Sequence, residues 1–306
     1  MSIVNTTVKY TYDELKRNLL ELNNKYPFLA MGSIGKSVLG KNIWAIKIGN
    51  GQRKIFYHGS IHANEWITTV LLMKFIENYS EAYVNNEEIF GYNARELYEN
   101  TSLYIVPMVN PDGVDLVTGG LQDVENDYQK FKKIAQNFPG ISFPDGWKAN
   151  ANGVDLNLQF PAEWNRAKEI KYAQGYNKPA PRDFVGYGPL TEPEALAIYN
   201  FTLYHNFELT ISYHTQGEEI YWQFMNYAPP EARSIGELFA QSSGYLLTEV
   251  DYNSSFAGYK DWFIQNYRRP GYTIEAGKGV NPLPISQFNK IYNDNIGILV
   301  LGLVLQ

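Results

Sequence analysis

His62 and Glu65 stand three positions apart in the run Tyr57-His58-Gly59-Ser60-Ile61-His62-Ala63-Asn64-Glu65-Trp66, just past an apolar, strand-like segment, Lys54 to His58. A second strand-like run, Glu208 to Tyr213, delivers His214, and a third, Gly271 to Ile274, delivers Glu275. Two histidines and one carboxylate can hold a zinc ion and leave its fourth position open. A further carboxylate close by can take a proton from water at such an ion. The chemistry these residue types suit is hydrolysis by zinc-activated water. The chain has 4 histidines (His58, His62, His205 and His214) and no cysteine, so any zinc must rest on histidine and carboxylate.

Taken singly, each residue also has an ordinary structural reading. His62 fits a turn histidine, and Glu65 a first-turn glutamate favoured by the helix dipole. Glu275 alone fits a salt-bridged strand end, and Lys148 and Asn157 alone fit ordinary loop positions. His58 falls inside a strand and reads as a buried, hydrogen-bonded histidine. His205 falls at a helix C-terminus, where a cation suits the dipole. From spacing alone the metal and structural readings both stand. The metal reading gains from position, because an i, i+3 pair straddling a strand-to-helix turn can reach one point.

The elements that must position these residues follow from pattern. Thr11 and Glu14 fit a capping box ahead of Leu15, Leu19 and Leu22. Asn42 to Ile48 and Lys54 to His58 read as strands joined by Gly49-Asn50-Gly51, a hairpin signal. Trp66 to Tyr83 reads as a helix. Ser102 to Val109 reads as a buried strand ending in the turn Asn110-Pro111-Asp112-Gly113. Residues 118–153 are rich in Gly, Asn, Asp and Pro and read as a long irregular stretch, of the kind that is usually functional or a lid. Thr191 and Glu194 fit another capping box, opening a helix to about His205. Further helices are expected from Pro230 to Ser243, near Tyr259 to Asn266, and from Pro284 onward.

Strands alternate with helices throughout, which predicts one α/β domain over residues 1–306: a mixed, mostly parallel twisted sheet with helices on both faces. Ligand residues at strand C-terminal ends fit the binding rule for open α/β sheets. The 306 residues, 44% hydrophobic, suffice for a sizeable core. A net charge of -6 with no basic block argues against nucleic acid. No basic-then-apolar leader opens the chain, and the apolar run Ile296 to Leu305 is short of the about 20 residues that cross a bilayer. A cytoplasmic protein with no membrane partner is expected.

Taken together, the motifs resemble the zinc carboxypeptidase family over nearly the whole chain and in the family's order. His62-Ala63-Asn64-Glu65-Trp66 is similar to its first zinc motif, and Ser212-Tyr213-His214-Thr215 to the segment of its third ligand. Thr273-Ile274-Glu275 is similar to the segment of its catalytic glutamate, and Asn110-Pro111-Asp112-Gly113 to its conspicuous turn. Trp147-Lys148 stands where the family has Trp-Arg, the arginine that stabilises the oxyanion. Gly153-Val154-Asp155-Leu156-Asn157 is similar to the segment whose asparagine grips substrate. Three phrases resemble the bacterial γ-D-glutamyl-meso-diaminopimelate peptidases within the family: Tyr213 through Trp222, Gly258-Tyr259-Lys260-Asp261-Trp262, and Asn281-Pro282-Leu283-Pro284.

The resemblance implies one zinc per chain on His62, Glu65 and His214, Glu275 as base, and Lys148 at the oxyanion. It implies a murein-derived peptide substrate contacted by Asn157, Leu158, Tyr259 and Lys260. Leu158 is a departure. Typical members follow the asparagine with an arginine that clamps the substrate's C-terminal carboxylate, and leucine cannot pair with a carboxylate. The gap makes Lys260 the first replacement cation to consider, against its alternative as a solvated surface lysine. Two other functions are carried forward: a conventional carboxypeptidase on ordinary C-termini, and a non-catalytic cell-wall-binding protein on the same fold.

Overall fold

The computed structural model describes residues 2–121 and 125–305. Ten strands run along the chain: β1 Ala30–Lys36, β2 Asn42–Ile48, β3 Arg53–Gly59, β4 Glu88–Ile89, β5 Tyr92–Asn93, β6 Thr101–Val106, β7 Leu209–His214, β8 Glu219–Tyr221, β9 Leu246–Thr248 and β10 Gly271–Glu275. The α-helices are α1 Tyr12–Lys25, α2 Ile67–Asn85, α3 Ala94–Asn100, α4 Pro111–Thr118, α5 Asn126–Ala135, α6 Trp164–Ala173, α7 Pro193–His205, α8 Glu231–Ser243, α9 Tyr259–Tyr267 and α10 Phe288–Val304. All strands but β4 and β5, which form a two-residue ribbon, join one 8-stranded sheet in the order β1-β2-β6-β3-β7-β10-β8-β9. Its centre, β6-β3-β7-β10, is parallel. Toward one edge β2 pairs antiparallel with both β6 and β1; toward the other β8 pairs antiparallel with β10, and β9 closes the sheet parallel to β8.

Alternate strand residues feed two cores. Ile55 and Tyr57 of β3 join α1, α2, α8 and α10 on one face, while Phe56 joins α6, α7 and α9 on the other. Helices thus cover both faces of a mostly parallel mixed sheet, as the alternation of elements predicts. The C-terminal apolar run is buried in α10, and among the described residues no helix is long and apolar enough to cross a membrane.

Several local expectations are corrected. β2 and β3 do not form a hairpin, because β6 lies between them. Gly49 and Gly51 instead let the connecting loop press on the start of β6. A Cβ on Gly51 would lie 1.9 Å from the Asn100 carbonyl carbon, and one on Gly49 1.9 Å from the Thr101 oxygen. Asn110-Pro111-Asp112-Gly113 opens α4 rather than a free turn. The Asn110 side chain accepts from the Gly113 N–H at 3.1 Å, and Pro111 takes the first helical position, where no N–H is needed. The stretch 118–153 holds the amphipathic helix α5, with Phe131 against Trp147. Thr191 does not cap α7: its hydroxyl and N–H both turn to the Gln159 side chain, and Glu192 is the cap residue. Thr11 does cap α1, accepting from the Glu14 N–H at 3.2 Å.

Candidate active site

Three adjacent parallel strands, β3, β7 and β10, end at one edge of the sheet. Glu275 is the register partner of His214, and Gly59 that of Tyr213, so the residues following each strand converge there. Past β3 the chain turns at Ser60 (φ 48°) and enters a short 3-10 helix, Ala63–Glu65, with His62 at its cap. Side chains at i and i+3 eclipse in 3-10 geometry. His62 Nδ1 accordingly lies 3.0 Å from Glu65 Oε1. His214 Nδ1 approaches Glu65 Oε2 at 2.9 Å and His62 Nδ1 at 3.2 Å.

His62, Glu65 and His214 are a group among the described residues whose ligating atoms fall within 4.8 Å of one another. Tetrahedral zinc with ligands near 2.0–2.1 Å requires donor separations of about 3.3 Å. Two imidazole nitrogens and a carboxylate at these spacings fit that requirement in type and reach. Asp155 fixes the outer side of His62, with Oδ1 3.1 Å from Nε2. A carboxylate behind a metal-binding imidazole sets its tautomer and orientation. Burial would raise the Asp155 carboxyl, but the His62 charge and hydrogen bond outweigh this and hold it below the usual carboxylate range.

Lys148 is tied to this turn from both ends. Its carbonyl accepts the Ala63 N–H at 3.0 Å, and its Nζ donates to Glu65 Oε1 at 2.8 Å. Burial alone would lower the ammonium pKa; the Glu65 charge more than offsets it, so Lys148 stays protonated. Glu275 lines the same cleft, its pKa raised above the usual carboxylate range by burial and then by the Glu65 charge. That direction suits a group which exchanges protons. His62, Lys148, Asn157, Leu158, His214 and Glu275 all line one cleft of ≈ 1430 Å³.

The outlying candidates divide. Asn157 lines the cleft, and its Oδ1 accepts the Tyr259 N–H at 3.1 Å. Leu158 beside it is buried against the second core, so this wall is aliphatic where the resemblance places an arginine. The Tyr259 expectation is corrected: its ring is wholly buried and its hydroxyl bonds Thr202 Oγ1 at 2.8 Å. A buried tyrosine needs a partner for its hydroxyl, and here the partner lies away from the cleft. The surface alternative for Lys260 is corrected too. The side chain is 5% exposed, with Nζ 2.6 Å from Asp261 Oδ1 and 2.7 Å from the Gln223 carbonyl oxygen.

His58 is buried as expected, 2.8 Å from Ser212 Oγ, and burial pushes its pKa down to about 3. His205 is not the expected cation. Desolvation, with Lys54 and Lys47 nearby, pushes its pKa down to about 4, and it packs as a neutral ring on Tyr104 and Phe201. Asp155 escapes the sequence reading although it stands within a quoted motif, because its partner His62 is 93 positions away.

A zinc carboxypeptidase family model matches residues 15–297. The chain belongs to the zinc carboxypeptidase family. It is a zinc peptidase, and the family implies the metal that the His-Glu-His cluster fits. It is 47% identical over 303 residues to gamma-D-glutamyl-L-diamino acid endopeptidase 1 of Lysinibacillus sphaericus, covering 99% of this chain and 74% of that one. It is 40% identical to the Bacillus subtilis (strain 168) protein YqgT, over 94% of this chain and 76% of that one. Among solved structures, carboxypeptidase A from Helicoverpa armigera superposes with a TM-score of 0.72 at 18% identity, covering 100% of this chain and 76% of that one. The murein-tripeptide amidase MpaA of Escherichia coli O157 superposes with a TM-score of 0.55 at 19% identity, over 89% and 91%. At those identities the two structures speak to the fold.

Proposed function

We propose that this chain hydrolyses the γ-D-glutamyl-meso-diaminopimelate bond of murein-derived peptides. The observation that carries the reading is a His-Glu-His cluster in a chain 47% identical, over 99% of its own length, to an endopeptidase named for γ-D-glutamyl-diamino acid bonds. The aliphatic wall at Leu158 agrees with it, since a clamp for ordinary C-terminal carboxylates has no cation there.

His62, Glu65 and His214 hold one zinc per chain. When bound, zinc supplies Lewis acidity that lowers the pKa of water to about 7. Glu275 takes the proton of the attacking water and passes it to the departing amine. Lys148 places its ammonium beside the oxygen that gains charge at the scissile carbonyl. Asn157 and the Lys260–Asp261 pair flank the start of α9 and orient the amine-side residue. Asp155 acts through His62, holding its ring.

The test is kinetic. The zinc-loaded protein should show a far higher kcat/KM on L-Ala-γ-D-Glu-meso-diaminopimelate than on a hippuryl-type peptide. Efficient cleavage of the hippuryl substrate with none of the murein peptide would favour a conventional carboxypeptidase. Binding of the murein peptide with no turnover of either would favour the non-catalytic reading.

A further inference from the structure

Arg182 occupies the cleft wall beside Lys148, and neither composition nor spacing marks it in advance. The Pro181 carbonyl accepts the N–H groups of both Lys148 and Ala149, at 2.8 and 2.9 Å, which fixes the Arg182 backbone to the segment carrying Lys148. Arg182 Nε donates to Asp183 Oδ2 at 2.6 Å, and Lys171 Nζ to Asp183 Oδ1 at 2.7 Å. Asp183 is held in turn: its N–H donates to Asp155 Oδ2 at 3.1 Å, and its backbone is left-handed, with φ 65°. Arg182 Nη1 and Nη2 carry no hydrogen bond among the described residues, and the residue lines the cleft.

This wall has two cations around one carboxylate, so it keeps a net positive charge. Its guanidinium is oriented through Nε and leaves the Nη pair for a ligand. A planar fork of that kind suits a carboxylate accepting two parallel bonds. Lys260, by contrast, already spends its charge on Asp261.

The side of the cleft identifies which carboxylate. Lys148 serves the scissile carbonyl, so groups beside it face the acyl residue of the substrate. In a γ-linked glutamate the side chain forms the scissile amide, and the α-carboxylate hangs free on that same residue. We infer that Arg182, braced by Asp183 and Lys171, reads the free α-carboxylate of the γ-linked acyl residue. It is therefore a specificity-determining residue for γ- over α-linked peptides. This inference rests on the function proposed above.

The test uses the zinc-loaded protein and two peptides: L-Ala-γ-D-Glu-meso-diaminopimelate, and its counterpart with the glutamate α-carboxylate converted to carboxamide. Wild type should favour the free carboxylate by about 10- to 100-fold in kcat/KM, the range of a charge-assisted hydrogen bond. In Arg182→Gln that ratio should collapse toward one, and Arg182→Lys should restore part of it. A merely structural role for Arg182 would depress both peptides and leave the ratio standing, which would overturn the inference. So would a wild type indifferent to the carboxamide. If wild type cleaves neither peptide, the proposed function falls and takes this inference with it; if it cleaves both and the ratio survives Arg182→Gln, the inference alone falls.

Discussion

Glu275 is the proposed base, and its place in the cleft with a pKa raised by burial sets a sharp expectation. Glu275→Gln nearly preserves shape and spares His62, Glu65 and His214. Removing a positioned base costs at least about 10²–10⁴-fold in rate. The variant should therefore lose turnover while keeping zinc by metal analysis and peptide by calorimetry. Near-normal kcat would remove Glu275 from its role. Asp155 makes a second expectation. Loss of the group that orients a metal-binding imidazole costs about 10- to 100-fold in metal affinity. Competition with a chelator should show that loss in Asp155→Ala; His214→Ala should lose more and His205→Ala nothing, since His205 lies in the aromatic packing around Tyr104. Unchanged zinc affinity in His214→Ala would sink the ligand assignment. At this scale the sequence was informative wherever residue type limits chemistry, as in a chain with so few histidines. It was silent on Arg182 and Asp155, whose meaning comes from partners far away in the chain. It misdirected at Tyr259, where neighbours in sequence point to opposite sides of one helix start.

At the scale of elements, periodicity and capping exposed the parallel core of the sheet and both layers of helices. Strand neighbours were not legible in the same way. A glycine turn between two strands reads as a hairpin, but nothing local announces that β6, some 50 residues on, inserts between β2 and β3. The two readings predict different mutants. A hairpin turn would tolerate a methyl group on Gly51, whereas here that Cβ meets backbone at 1.9 Å. Gly51→Ala should destabilise the fold by about 1–3 kcal/mol, the usual cost of overpacking. Gly32→Ala, with nothing within 4 Å of its Cβ, should be near neutral. Thermal melts of the pair that coincide would contradict the close approach. α5 was hidden for a different reason: the Gly, Asn and Pro residues on either side of a ten-residue helix dominate the local composition.

At the scale of the whole molecule, loops far apart in sequence lock together through buried carboxylates. Glu194, at the start of α7, accepts from the Val38 N–H at 3.0 Å and from Asn150 Nδ2 at 3.0 Å, joining the β1-β2 loop to the segment beside the cleft. Burial pushes its pKa up to about 7. A carboxyl raised on folding contributes stability fully below the ordinary glutamate range, near pH 4.5, and loses it as pH rises through about 7. Glu194→Gln mimics the protonated form. Relative to wild type, it should gain about 2–3 kcal/mol between pH 5 and pH 8. Denaturant unfolding at both pH values measures this, and a difference between the two proteins that does not change with pH would contradict it. Lys148, His62 and Glu275 line one cleft, and what that cleft cuts is the question a single digest answers. Zinc-loaded protein incubated with L-Ala-γ-D-Glu-meso-diaminopimelate, with products read by mass spectrometry, tests it most directly. Cleavage of the γ-linkage yields L-Ala-D-Glu and free diaminopimelate; intact tripeptide alongside a trimmed ordinary C-terminal peptide would contradict the proposed function.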